Sequence, residues 1–329
     1  MLEHAIDFYR KLFGEEEDSG VKFGQDFWEV DEKVTALENE LLEAPFIENE
    51  VREAIFSSYA EGAPGPDGFS FLFYQVFWDL IKVDLMNLIR VFEQGDLNLD
   101  RLNYAMITLI PKEPEAKVLK KFRPISLINY SFKIFSKLLN NRMVRVADRL
   151  VASNQTTFIK GRFILESGVA AHEIIHEVHK RKQEGVVLKL DYEKAYDRVS
   201  WSFLEEMLET RGFGGRWRGW LRQVVRGGSI CIRINDENSI FFKSGKGLRQ
   251  GDPLSPLLFN LVADIFSRML MKAARHGLIT GLLPQVLEGG IISLQYADDT
   301  LHFLENNLEK ACNLKWLLVC FEQTCGRTS

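Results

Sequence analysis

The sequence predicts an α+β fold. Short apolar runs rich in Val, Ile and Leu, bounded by Gly, Pro, Asn or Asp, read as strands, and between them lie longer segments whose apolar residues recur every three or four positions, as on a helix. Size supports this: 329 residues, 46% apolar and 26% charged, suffice for two or three lobes with sizeable cores.

Residues 1 to about 60 carry the acidic stretch EEEDSG and helix-like segments such as NEVREAIFSSYAEG (49–62), and read as an acidic connector or cap. In APGPDGF (63–69) two prolines and two glycines force a turn before the apolar helix FLFYQVFWDLIKVDLMNLIRVF (71–92), which sets a boundary there. YAMITLIPK (104–112) is a strand ending in Pro111 and a cation, and FRPISLIN (122–129) is a second extended piece. In FKIFSKLLNNRMVRVADRLV (132–151), Phe132, Phe135, Leu138, Leu139, Val146 and Leu150 share helical spacing while Lys133, Lys137, Arg145 and Arg149 take other faces. ESGVAAHEIIHEVHKRKQEG (166–185) reads as a helix closed by Gly185.

VVLKLDYEKAYDRV (186–199) starts as a strand and turns helical at its acids. SICIRINDENSIFF (229–242) sets Ile230, Ile232 and Ile234 on one face before a hairpin turn at NDEN. GKGLRQGDPLSPLLFNLVADIFSRMLMKAA (245–274) is a glycine-punctuated loop feeding a long helix, with Pro253 and Pro256 near its start, where missing N–H groups cost little. GGIISLQYADDTLHFLEN (289–306) is strand, tight turn, strand, and LEKACNLKWLLVCFEQ (308–323) is a closing helix.

The N-terminus is charged within its first few residues and has no signal-like apolar core, and the richest apolar run is too short to span a bilayer, so a soluble intracellular protein is expected. Cys231, Cys312, Cys320 and Cys325 form no CxxC pair and no zinc or disulfide framework. The net charge of −5 hides an asymmetry: about −16 over residues 1–100, +10 over 101–182 and +1 beyond. A basic middle in an acidic chain implies a local surface for polyanions, although a solvated helix face has the same composition.

Asp191 follows one strand, and Asp298 with Asp299 follows another. Adjacent strands of one sheet would bring these carboxylates together, and such a cluster needs cations. Mg²⁺ suits it, because it takes oxygen ligands, keeps waters and completes its shell with phosphates. Two ions about 3.5–4 Å apart serve in-line phosphoryl displacement. Taken alone, an Asp pair at a tight turn is an ordinary polar hairpin.

GPDGF, FRPISL, LDYEKAYDRV, GLRQGDPLSPLLF and QYADD occur in this order, and together they resemble the successive blocks of a reverse transcriptase of the non-LTR (LINE-type) retrotransposon class, in the form found in plants. The resemblance covers roughly residues 45 to 325. It implies a right-hand polymerase with a split βαβ palm sheet: fingers over 61–185 and palm over 186–329, with the 212–249 hairpin region belonging either to the palm or to the fingers. Asp191 and Asp298 would hold two Mg²⁺ ions (Mn²⁺ substituting), the Tyr192 carbonyl would help, and Asp299 would support the cluster. Tyr196 would be a steric gate against a ribose 2′-OH, or else a packed aromatic. Gln250 and Gly251 would line the nucleotide pocket, although RQGD in isolation is a helix-entry turn. Arg123 and Lys112 would meet the triphosphate. Arg142, Arg145, Arg149, Lys160 and Arg162 would track template or primer phosphates. RNA template, DNA primer and dNTPs are the implied partners, without a membrane, and the nucleus is the implied place of action.

The family continues past this point into a last palm strand and a thumb. Because the chain stops at FEQTCGRTS, a palm sheet lacking its last strand and no thumb are expected, and with them a second reading, a catalytically inactive nucleic-acid-binding remnant. A third reading comes from AAHEIIHEVH, where His172, Glu173 and His176 spell the HExxH of a zinc hydrolase, with His179 one turn on. A viral RNA polymerase would be expected to show GDD and a polar residue at 196, whereas a group II intron maturase would share many of the blocks.

Overall fold

The computed structural model describes residues 2–14, 22–24, 26–159, 161–192, 194–287, 289–297 and 299–324. Its α+β chain forms two interleaved compact units, cut at 145/146, 195/196 and 255/256, with Lys22 assigned to the second. The boundaries expected near 60 and 185 fall inside the first and second unit respectively.

The first unit is built on a mixed sheet of β1 (Tyr104–Pro111), β2 (Phe122–Ile128), β4 (Ser229–Ile234), β5 (Glu237–Asn238) and β6 (Phe242–Lys243), in the order β2-β1-β4-β5 with β6 also on β4. β1 runs antiparallel to β2 and parallel to β4. The β4–β5 hairpin turns at Asn235 and Asp236, with φ of 50° and 65°, the left-handed pair that a two-residue turn demands and that Asn and Asp tolerate. α1 (Leu2–Phe13) belongs to this core, because its Ala5, Tyr9 and Phe13 pack with Ile107, Ile230 and Ile232. The N-terminal segment, expected to be a connector or cap, supplies a helix that covers the sheet.

The remaining helices of this unit are α2 (Ala36–Glu43), α3 (Glu48–Phe56), α4 (Phe71–Val76), α5 (Trp78–Gln94), the first part of α6 (Tyr130–Leu150), α8 (Trp201–Thr210) and α9 (Gly215–Val225). The long helix expected over 71–92 is broken at Phe77, whose φ of −97° and ψ of 16° leave the helical region. The Phe92 ring lies tilted 4.9 Å from Phe135 and stacks 6.1 Å from Trp220, joining α5, α6 and α9 in one aromatic core.

The second unit carries a three-stranded antiparallel sheet, β3 (Gly185–Asp191), β8 (Asp299–Glu305) and β7 (Ser293–Tyr296), in the order β3-β8-β7. It also holds α7 (Ile164–Lys180), α10 (Ser255–Arg275) from Pro256 onward, and α11 (Leu308–Thr324). Ile174 of α7, Leu282, Leu283 and Phe303 form one core cluster, while Phe266 of α10 lies 5.1 Å from Phe321 of α11. Two sequence expectations are corrected here. Gly185 does not close α7, which ends at Lys180. It opens β3 instead, where Leu282 fills the space that a Cβ would take. The acids after β3 lead not into a helix but into a single 3-10 turn, Tyr196–Arg198.

Candidate active site

β3 is a run of Val, Leu and Lys that ends on Asp191, and β8 begins on Asp299. The antiparallel register sets these two residues directly opposite each other, and opposed residues in such a ladder point to the same side. Both are exposed. Two like charges so placed repel, and Lys189, two residues earlier on β3 and hence on the same side, offsets part of this: its Nζ lies 3.0 Å from Asp299 Oδ1. The hydrogen bond and charge of Asp299, with a smaller contribution from Asp191, push the Lys189 ammonium up from its usual range. The sequence reading missed Lys189, although its alternation with Asp191 was visible.

Tyr192 follows Asp191, and its ring meets Phe321 of α11 at 6.2 Å. β7 and β8 are joined by two residues, Ala297 and Asp298. Asp298, expected with Asp191 to hold the metal ions, lies outside the described residues, as does Lys160. Among the described residues no group of three or more His, Cys, Asp or Glu side chains stands ready to hold a metal ion. What is described fits a hard cation: two exposed carboxylates on one face, while His302 of β8 is buried on the other. The HExxH residues lie elsewhere, on α7. The His172 and Glu173 side chains are exposed there, and the rings of His172 and His176 are parallel with centroids 6.5 Å apart.

In the first unit, Tyr196, Gln250 and Gly251 come together. The Leu248 N–H donates to the Tyr196 carbonyl at 2.7 Å, and the Ser126 N–H of β2 donates to the Gln250 carbonyl at 2.8 Å. The Gln250 amide donates to Asp197 Oδ1 at 3.1 Å. Asp197, only 2% exposed, therefore orients the side chain expected to face a nucleotide, a role the sequence reading did not assign. Gly251 has φ of 111°, and a Cβ there would stand 2.7 Å from the Ser126 carbonyl oxygen, so both conformation and space require glycine. RQGD is also a helix entry, since Asp252 Oδ2 accepts from the N–H groups of Leu254 and Ser255 at 3.1 and 3.0 Å.

Arg123 is exposed on β2, on the same side as Ile125, which would lie 3.9 Å from a Cβ on Gly251. Lys112, just past β1, is also exposed, and its N–H donates to the Lys121 carbonyl at 2.9 Å, extending the ladder that pairs Ile110 with Arg123. Cross-strand alternation puts Lys112 and Arg123 on one side of the hairpin.

Two of the five cations expected on nucleic acid are engaged within the protein. Arg142 is 3% exposed and spends its guanidinium on Glu50, at 2.7 and 3.0 Å, and on the carbonyls of Leu42, Ala44 and Pro45. It ties α6 to the loop between α2 and α3. Arg162 donates to the carbonyls of Asp148, Val151, Ala152 and Gln155 and to the Asp148 carboxylate, fixing its own loop. Helical and loop periodicity cannot separate such anchors from solvent-facing cations. Arg145 and Arg149 of α6 are exposed.

A family model described as reverse transcriptase (RNA-dependent DNA polymerase) matches residues 110–328, about two thirds of the chain. The chain belongs to the reverse transcriptase family. The match takes in Asp191, Asp298, Asp299 and the RQGD loop. A transposon TX1 uncharacterized 149 kDa protein of Xenopus laevis is 28% identical over 94% of this chain and 23% of its own length. The Pol polyprotein of type-1 retrotransposable element R2 from Nasonia vitripennis is 28% identical over 79% of this chain and 24% of its own. A 71-residue stretch, 22% of the chain, is 42% identical to 58% of an uncharacterized mitochondrial protein of Arabidopsis thaliana. This reverse transcriptase chain spans about a quarter of the length of the first two relatives. No helix among the described residues is long and apolar enough to cross a membrane.

Proposed function

We propose that this chain is the polymerase domain of a non-LTR retrotransposon protein, and that it adds dNTPs to a primer 3′-OH under the direction of an RNA template. The supporting observation is the opposition of Asp191 and Asp299 across β3 and β8, in a chain of this family. The first unit would serve as fingers with its 196–255 segment, and the second as palm.

Asp191, Asp298 and the Tyr192 carbonyl would hold Mg²⁺, or Mn²⁺, which when bound supplies Lewis-acid activation of the attacking hydroxyl and neutralises charge on the phosphates. Asp299, paired with Lys189, adds negative field beside them. Tyr196 acts as the gate against a ribose 2′-OH, Gln250 held by Asp197 contacts the nascent base pair, and Gly251 lets the backbone come close. Arg123, with bidentate capacity, and Lys112, as a point charge, receive the triphosphate. Arg145 and Arg149 contact nucleic-acid phosphates, and Lys160 joins them. The form of the five sequence blocks and the Arabidopsis likeness support a plant element, and copying at chromosomal targets places its action in the nucleus.

Primer extension on poly(rA)/oligo(dT) with Mg²⁺ or Mn²⁺ tests the reading. Template-dependent product is expected from the wild type, and none above background from Asp298→Ala. Folded protein that binds the duplex but never extends it would overturn polymerase activity and leave a nucleic-acid binder.

A further inference from the structure

The end of β7 and Ala297 after it are held from a neighbouring segment. Residues 154–156 run beside β7 as a parallel partner, with Gln155 opposite Gln295; the Gln295 N–H donates to the Asn154 carbonyl at 2.8 Å and the Thr156 N–H to the Gln295 carbonyl at 3.2 Å. The segment is itself anchored on α10. The Ala152 N–H donates to Asp264 at 2.8 Å, and the Asn260 amide donates to the Thr157 carbonyl at 2.5 Å.

From this strap the Gln155 side chain, 1% exposed, reaches Ala297. Its Oε1 accepts from the Ala297 N–H at 3.1 Å, and also from the Thr157 N–H at 3.2 Å; its Nε2 lies 3.5 Å from the Ala297 carbonyl, to which it donates. These contacts grip the peptide planes on both sides of one α-carbon, so together they fix φ and ψ at Ala297. Those two angles set the direction in which the chain leaves β7. The residue needs such a hold, because Ala297 has φ of 52°, a left-handed conformation that a side chain with a Cβ avoids and for which glycine or asparagine is the usual choice.

We propose that Gln155 is a positioning residue for the acid-bearing turn, setting the backbone from which Asp298 and Asp299 meet divalent cations. This rests on the polymerase reading of those acids. Buried polar partners that orient a metal-binding group typically change affinity by about 10–100-fold when removed. Gln155 touches no substrate; its effect runs through Ala297.

The test is Mn²⁺ binding to the full chain, followed by electron paramagnetic resonance, in wild type, Gln155→Met, Gln155→Glu and Asp298→Ala. Gln155→Met keeps the length and loses all three hydrogen bonds, and about a 10-fold weaker Mn²⁺ affinity is expected. Gln155→Glu keeps the acceptor and loses the donor, and is expected to fall between, which preserves a readout should the methionine variant fail to fold. In primer extension the Mg²⁺ concentration for half-maximal rate should rise in step, with the KM for dNTP at saturating Mg²⁺ unchanged. Folded Gln155 variants that bind Mn²⁺ within twofold of wild type overturn the proposal while leaving the polymerase reading intact. Asp298→Ala protein that binds Mn²⁺ like wild type, or wild type that binds none, overturns the reading itself and the proposal with it.

Discussion

Lys189 shows how one side chain changes the meaning of its neighbours. A ladder that opposes Asp191 and Asp299 looks untenable without a bound cation, yet an ammonium 3.0 Å from Asp299 already stands in. Lys189→Ala is therefore expected to lower the melting temperature slightly in EDTA, and added Mg²⁺ should cancel the difference; an equal deficit with and without Mg²⁺ would refute the idea. His302 is a second such case. It is fully buried on β8, its ring stands edge-on to Phe266 at 5.5 Å, and neither ring nitrogen has a hydrogen-bond partner among the described residues. Burial pulls its pKa from 6.5 down to about 4. Above pH 6.5 both folded and unfolded chains hold it neutral; between 6.5 and about 4 the unfolded chain takes up the proton first, so stability is lost as pH falls through that window. The linkage is about 3 kcal/mol at most, and urea titrations of His302→Leu should show a flatter profile from pH 7 to 4.5. Arg142 is a third. Arg142→Ala is expected to cost about 3–5 kcal/mol by leaving Glu50 and three carbonyls without their donor, measurable by urea unfolding. Its effect on nucleic-acid affinity should be nil once the protein is folded.

At the scale of elements, the strands were the legible part of the sequence. YAMITLIPK, FRPISLI, SICIRI and the two arms around QYADD fold as strands because β-branched and apolar residues alternate or cluster between strong turn formers. Helix ends were less legible: Phe77 interrupts a pattern that stays apolar on both sides, and Gly185 serves a strand rather than a cap. What could not be read is any long-range partner. The bond from Gln250 to Asp197, the Arg142 anchor and the strap from Gln155 to Ala297 span roughly 50 to 140 residues, and no local periodicity encodes them. The backbone hydrogen bond that links β2 to the RQGD turn gives a prediction of its own. Gly251→Ala places a Cβ against the Ser126 carbonyl at a φ of 111°, and is expected to cost about 1–3 kcal/mol and to raise the KM for dNTP. Unchanged nucleotide affinity in that variant would mean that the loop tolerates displacement.

At the scale of the molecule, neither unit is a continuous piece of sequence, so no single cut releases a complete one. The second unit presents β3 as the end strand of its sheet, with Val186, Val187 and Leu188 at 40%, 46% and 38% exposure. Bare edges of this kind pair with other chains unless charge or cover prevents it. Val187→Lys is expected to reduce light scattering on concentration of the isolated chain, and no change would mean that the edge is not the sticky surface. The charge asymmetry, acidic to residue 100 and basic to 182, belongs to this scale too: affinity for nucleic acid should fall steeply with salt although the whole chain is an anion.

The parallel pairing of Tyr104 with Ser229 has a further cost, which falls before the protein is finished. About 125 residues, including the opening portion of the other unit, must leave the ribosome before the second side of β1 finds its mate. At about 5–20 residues per second that interval lasts on the order of 6–25 s. For that time β1 and its hairpin partner β2 form a half-built sheet, a natural client for chaperones that shield nascent chains, and a host lacking them would accumulate inclusion bodies rather than enzyme.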